Sequence, residues 1–204
     1  MTAPHAPANS ANGTTDSAAG DILAFWFGEG ARHGQRRAQW FKKGTVFDDE
    51  IRSRFLTTFE LAAAGGLSHW QKQPHHCLAL IIVLDQFPRN LFRGSFRAFA
   101  TDPLARDATL QALAKGYDRG LKPVERQFIY LPLEHSESLP DQQHCLQLMQ
   151  QLAEFGETNV LHVWAEKHLL IIRRFGRFPH RNAALGRQNL AEEAEFLKQL
   201  GAGF

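Results

Sequence analysis

The sequence predicts an all-α domain. Large apolar residues recur at helical spacing. Residues that start and stop helices bracket those stretches. No segment alternates with period two over the length of a strand. The chain has 204 residues, of which 44% are hydrophobic and 22% charged. That composition suits one globular domain that buries a core without disulfide or metal staples.

Residues 1–20 are mostly Ala, Pro, Asn, Ser, Thr and Gly, with Asp16 the one charged side chain. Such a segment buries too little to offset its ordering entropy, so a flexible tail is expected, with the domain over 21–204. Asp21 then caps a short helix, 22–27, that stops at Gly28. Phe47, Ile51, Phe55 and Phe59 follow at i+4 spacing, which puts four large side chains on one helix face, and Gly65-Gly66 ends it. Pro74 opens an aliphatic helix through Phe87, which Pro88 is expected to terminate. Thr101-Asp102-Pro103 reads as a cap followed by Pro in the first turn, opening a helix to about Tyr117. Pro123 opens another towards His135, disturbed by Pro132. Pro140-Asp141 opens a third, to Phe155 before Gly156. A long helix covers about 159–175. Asn189 to Glu192 resembles a capping box for a last helix ending near Leu200. The result is about eight helices stacked as antiparallel pairs. Cys77 and Cys145 lie among apolar neighbours and read as buried free thiols.

Two segments echo each other. Phe87-Pro88-Arg89-Asn90 ends one apolar helix, and Phe178-Pro179-His180-Arg181-Asn182 follows another. Each is trailed by an aliphatic residue and an Arg/Gly pair. Similar helix exits explain the echo; so do two loops that present Arg and Asn to one ligand. Their proximity in space is the expectation that separates the two. The wider text resembles the bacterial family known as domain of unknown function 924, through FWFG (25–28), LALIIVLDQFPRNLFRG (78–94), AFATD (98–102), ERQFIYLPLEHSE (125–137) and RRFGRFPHRN with LGR (173–187). The resemblance spans about residues 21–200. It implies a tetratricopeptide-like all-α fold and brings no reaction, cofactor or catalytic residue.

The chemistry-bearing residues fall into two groups. Tyr130, Glu134 and Glu137 share one helical face, with His135 on another. A metal would have to combine Glu134, His135, His168 and His180, yet no HExxH or paired Glu-x-x-His spacing occurs, so neither metal nor cofactor is expected. His168 lies on a stripe with Trp164, Ile171 and Phe175 and reads as a core histidine. The second group is basic: Lys167, Arg173, Arg174, Arg177, Arg181 and Arg187 in one run, Arg89, Arg93 and Arg97 in another. Guanidinium groups suit bidentate binding of carboxylate or phosphate. Asp85, Glu134 and Glu137 could instead pair them internally, so an anion pocket and a structural ion-pair network both fit. In the second case Arg89, Arg177 or Arg181 would hold Glu134.

A net charge of +2 argues against a nucleic-acid binder. No apolar stretch is long enough to span a bilayer, and no leader is legible in residues 1–20, so a cytoplasmic protein is expected. Three function classes remain. The first binds a small anionic molecule through Arg89, Asn90, Arg93, Tyr130, Glu134, Arg177, His180, Arg181 and Asn182. The second is an enzyme that uses Glu134, His135 or Glu137 as acid or base on such a molecule. The third is a helical scaffold for a protein partner, which rests on fold analogy.

Overall fold

A computed structural model describes residues 11–154 and 160–199. Among them there is no strand, and eight helices carry the fold. Helix α1 spans Ala11–Phe27 and α2 Thr45–Ala63. Helix α3 runs over Pro74–Ile81, continues through a π-helical turn at Ile82–Gln86 and finishes as Phe87–Leu91. Then come α4 (Asp102–Ala114), α5 (Pro123–Glu134), α6 (Leu139–Leu152), α7 (Leu161–Phe175) and α8 (Ala191–Leu197). None of these is long and apolar enough to cross a membrane.

Helix α1 opens at Ala11, ten residues before the expected Asp21, and Ala19 and Ile22 are buried in the core. The expected flexible tail therefore fails for residues 11–20; residues 1–10 lie outside the described ones. So do the expected helix stops at Phe155-Gly156 and Leu200-Gly201 and the start near Asn159. The predicted face of α2 forms: Ile51, Phe55 and Phe59 are buried and Phe47 is half-buried against the same core, and Gly65, with φ of 81°, turns the chain out of the helix. The last carbonyls of α1 find donors in the following loop. Trp40 Nε1 and Arg37 Nη1 each donate to the Trp26 carbonyl at 2.8 Å.

Helix α3 is the hub, packed against α1, α2, α4 and α5. Every residue from Cys77 to Pro88 is buried, as expected of a helix that is apolar all round. Pro88 does not terminate it. A proline lacks the N–H that the Leu84 carbonyl would accept, and its ring collides with that carbonyl in an α-helix. The π turn widens the helix here, with the Phe87 N–H donating to Ile82 five residues back. The Thr101 hydroxyl donates to the orphaned Leu84 carbonyl at 2.6 Å. Thr101 thus precedes α4 as predicted, but its side chain serves α3 rather than capping α4. In α5 the Thr109 hydroxyl donates to the Ile129 carbonyl at 2.9 Å, next to the Phe128 carbonyl that Pro132 leaves without its helical donor. The box at α8 is shifted by one residue: the Glu193 carboxylate accepts from the Leu190 N–H at 2.8 Å.

The apolar interior divides in two. The larger core runs from Ala19 to Leu161 and Ala165 in the first half of α7. The end of α7 and the segment after it build a second cluster of Ile171, Ile172 and Phe178, joined by Phe175 and Phe196. Both cysteines are free and buried in the larger core.

Candidate functional site

A cavity of about 390 Å³ opens where distant parts of the chain meet. Trp40, Phe41, Lys42 and Lys43 come from the loop before α2. Gln86, Arg89, Asn90 and Arg93 come from the π turn and the end of α3, and Phe99 from the short turn before α4. His135 ends α5, His168 belongs to α7, and His180 and Arg181 follow α7. Among the described residues no carboxylate stands on this wall.

The carboxylates lie behind it. Asp102 accepts both guanidinium nitrogens of Arg89, at 2.9 and 3.0 Å, and Arg181 Nη1 at 3.3 Å. The two echo segments therefore meet on one carboxylate. Asp85, fully buried in the π turn, lies 2.7 Å from His135 Nδ1 and 3.3 Å from Arg89, and accepts the Gln86 amide at 2.6 Å. Arg89 and His135 hold its carboxyl well below the usual range despite burial. Arg181 is 6% exposed, with its guanidinium 4.8 Å from the Phe99 ring centroid and 4.5 Å from that of Phe178. Burial and the neighbouring Arg89 push it down to about 10. Its Nε, buried, has no hydrogen-bond partner among the described residues.

The imidazoles are neutral at pH 7. Burial lowers His168 to about 3 and His180 to about 4, and the adjacent cations add to the effect. His135 is lowered by burial and by Arg89, against the opposing pull of Asp85. Glu134 stands one layer behind the wall, buried, with His168 Nδ1 3.4 Å away. Burial and the nearby Asp85 raise it to about 8, so it is protonated at neutral pH.

The structure divides the expected site residues. Arg89, Asn90, Arg93, His135, His180 and Arg181 line the cavity. Asn90 and Arg93 also bind Asp48, at 2.7 Å each at closest. Tyr130 is in the core, donating to Asp118 at 2.7 Å. Arg177 pairs with Glu193, and Asn182 donates to Asn189 and Glu193. Glu137 is held by Arg187 at 2.7 and 2.9 Å. None of these four lines the cavity: Tyr130 is buried within α5, and Glu137, Arg177 and Asn182 are engaged with partners away from the wall. Neither Arg89, Arg177 nor Arg181 holds Glu134.

A family model described as bacterial protein of unknown function (DUF924) matches residues 22–201. The chain belongs to that family. It is also similar to a solved structure, that of the protein of unknown function ATU0120 from Agrobacterium tumefaciens, at 39% identity and a TM-score of 0.81, covering 90% of this chain and 98% of that one. No curated protein matches.

Sequence reasoning on this DUF924 chain missed the roles of Asp102, Lys42, Lys43 and Phe99. Asp102 was assigned to a helix start, where an acidic residue is ordinary. Only its spacing from Arg89, across a turn that sequence does not define, makes it the shared counterion.

Proposed function

We propose that this cavity binds a small molecule carrying a phosphate or carboxylate group. The observation that carries the reading is the sorting of charge. Five cationic side chains and three imidazoles face the cavity, while the balancing carboxylates sit behind them. Buried Arg181 adds an Nε donor without a protein partner, and a buried donor left open is costly unless a ligand takes it. An open groove would have favoured a scaffold. Arg89 and Arg181 converging on one half-open cavity supports a small ligand instead.

Calorimetric titration with inorganic phosphate, pyrophosphate and citrate tests this. Saturable binding of at least one, and a raised melting temperature with it, is the expected result. Arg181→Met keeps the side-chain volume and removes the donors, so it should abolish the binding. If none of the three binds, or if Arg181→Met binds as tightly as the unmodified chain, the reading fails.

A further inference from the structure

We propose that this cavity hydrolyses phosphate monoesters, with His135 as the general base and Arg89 and Arg181 holding the phosphoryl group. The inference rests on the anion-binding reading above and adds a reaction to it.

The first support is the setting of His135. Its Nδ1 lies 2.7 Å from Asp85 Oδ1. An ionised carboxylate only accepts, so Nδ1 carries the hydrogen and Nε2 presents a lone pair. That nitrogen has no protein partner among the described residues, and the ring lines the cavity. A carboxylate that fixes the tautomer and orientation of an imidazole, with the opposite nitrogen open to a ligand site, is the arrangement of a base ready to take a proton. Asp85 is itself fixed by Gln86 and Arg89 and is a positioning residue.

The second support is where the positive charge lies. Arg89 and Arg181 both reach Asp102, so their head groups stand side by side at the cavity wall. Side-by-side guanidiniums match the non-bridging oxygens of one phosphoryl group. The third support is what else the wall holds. No Ser, Thr, Cys or Tyr stands on it among the described residues. The nucleophilic side chains left on the wall are imidazoles, and with His135 held by Asp85 as the base, we assign water from the open side as the nucleophile.

The step balances with water as the only co-reactant. Nε2 takes a proton from water as the water oxygen bonds to phosphorus, and the P–O bond to the alcohol breaks. The departing alkoxide takes a proton from solvent at the open side. His135 then returns its own proton to solvent, leaving phosphate and alcohol. Arg89 and Arg181 neutralise the phosphoryl oxygens throughout.

Oxygen exchange tests this without knowledge of the natural ester. Water attacking bound inorganic phosphate, with loss of one phosphate oxygen as water, is the same step. ¹⁸O-labelled inorganic phosphate is incubated with the protein, and loss of label is followed by the isotope shift in ³¹P NMR. Phosphate binding is measured alongside by calorimetry. The unmodified protein should exchange. His135→Asn should bind phosphate normally and lose about 100-fold or more of the rate, the usual weight of a general base. Its amide N–H can still serve Asp85; His135→Gln is the second variant should the first fail to fold. If phosphate binds without exchange, or the variants exchange at the unmodified rate, the hydrolytic inference falls and the anion-binding reading stands. It falls likewise if citrate binds and phosphate does not. If none of the anions binds, both fall.

Discussion

Glu134 shows how far a residue can depart from its expected role. In the sequence it reads as a carboxylate to be held by arginine, so that Glu134→Gln would remove a charged hydrogen bond. In the fold its neighbour is a neutral histidine, and it keeps its proton up to about pH 8 instead of the ordinary 4.5. The folded chain therefore binds more protons than the unfolded chain between those values, and this group makes stability fall as pH rises through that window. His168 and His180 act the other way. They stay neutral down to about 3 and about 4, whereas unfolded histidines protonate below 6.5, so stability falls as pH falls below 6.5. The lowered His135 adds to the acid side. Several histidines outweigh one glutamate there, which puts the crest of stability near pH 6.5. From there to pH 8 the decline belongs to Glu134 and amounts to no more than about 2 kcal/mol, at about 1.4 kcal/mol per pH unit. Urea melts at pH 6.5 and 8.5 check this. Glu134→Gln should cost little at the lower pH and abolish the decline. An equal decline in both proteins would overturn the assignment.

At the scale of the element, α3 shows what sequence grammar reads well and where it stops. The apolar run from Cys77 and the opening Pro74 are local properties, and the helix forms where they say. Pro88 is a local property too, yet the helix passes it. A hydroxyl that lies thirteen residues further along the chain, at Thr101, supplies the missing donor to Leu84. No period or cap rule carries that information, because it depends on where α4 packs. The same limit divided the candidate site. Arg89 and Arg181 were legible as a repeated Phe-Pro pattern with Arg and Asn, while Arg177, Tyr130 and Glu137 shared the same residue types and face elsewhere. Thr101→Val leaves the Leu84 carbonyl buried without a donor, and should cost about 1–3 kcal/mol in chemical denaturation. Pro88→Ala in that background restores an N–H and should recover part of the loss. An unchanged midpoint for Thr101→Val would show that the π turn needs no help.

The whole molecule is built on two unequal apolar clusters, and the cavity lies across the seam between them. His180 and Arg181 belong to the segment that packs with Phe178 on the smaller one. Charged groups help to fasten this segment to the larger body, beside the burial of Phe178. Arg187 grips Glu137, the same carboxylate accepts the Phe178 N–H at 2.8 Å, and Arg181 leans on Asp102. Molar salt weakens the more exposed Arg187–Glu137 pair more than the buried Arg181–Asp102 pair and leaves apolar burial intact. Residues 178–199 are therefore expected to detach as one unit before the helices around α3 open. Native-state hydrogen exchange should show weaker protection for amides in α8 than in α3, with molar salt eroding it in α8 alone. Uniform protection across both would mean that the clusters unfold as one. Detachment carries one wall of the cavity away, so occupancy and docking are linked. An anion bridging Arg89 and Arg181 would rivet the two units together and slow exchange across the entire C-terminal segment, well away from the atoms it touches.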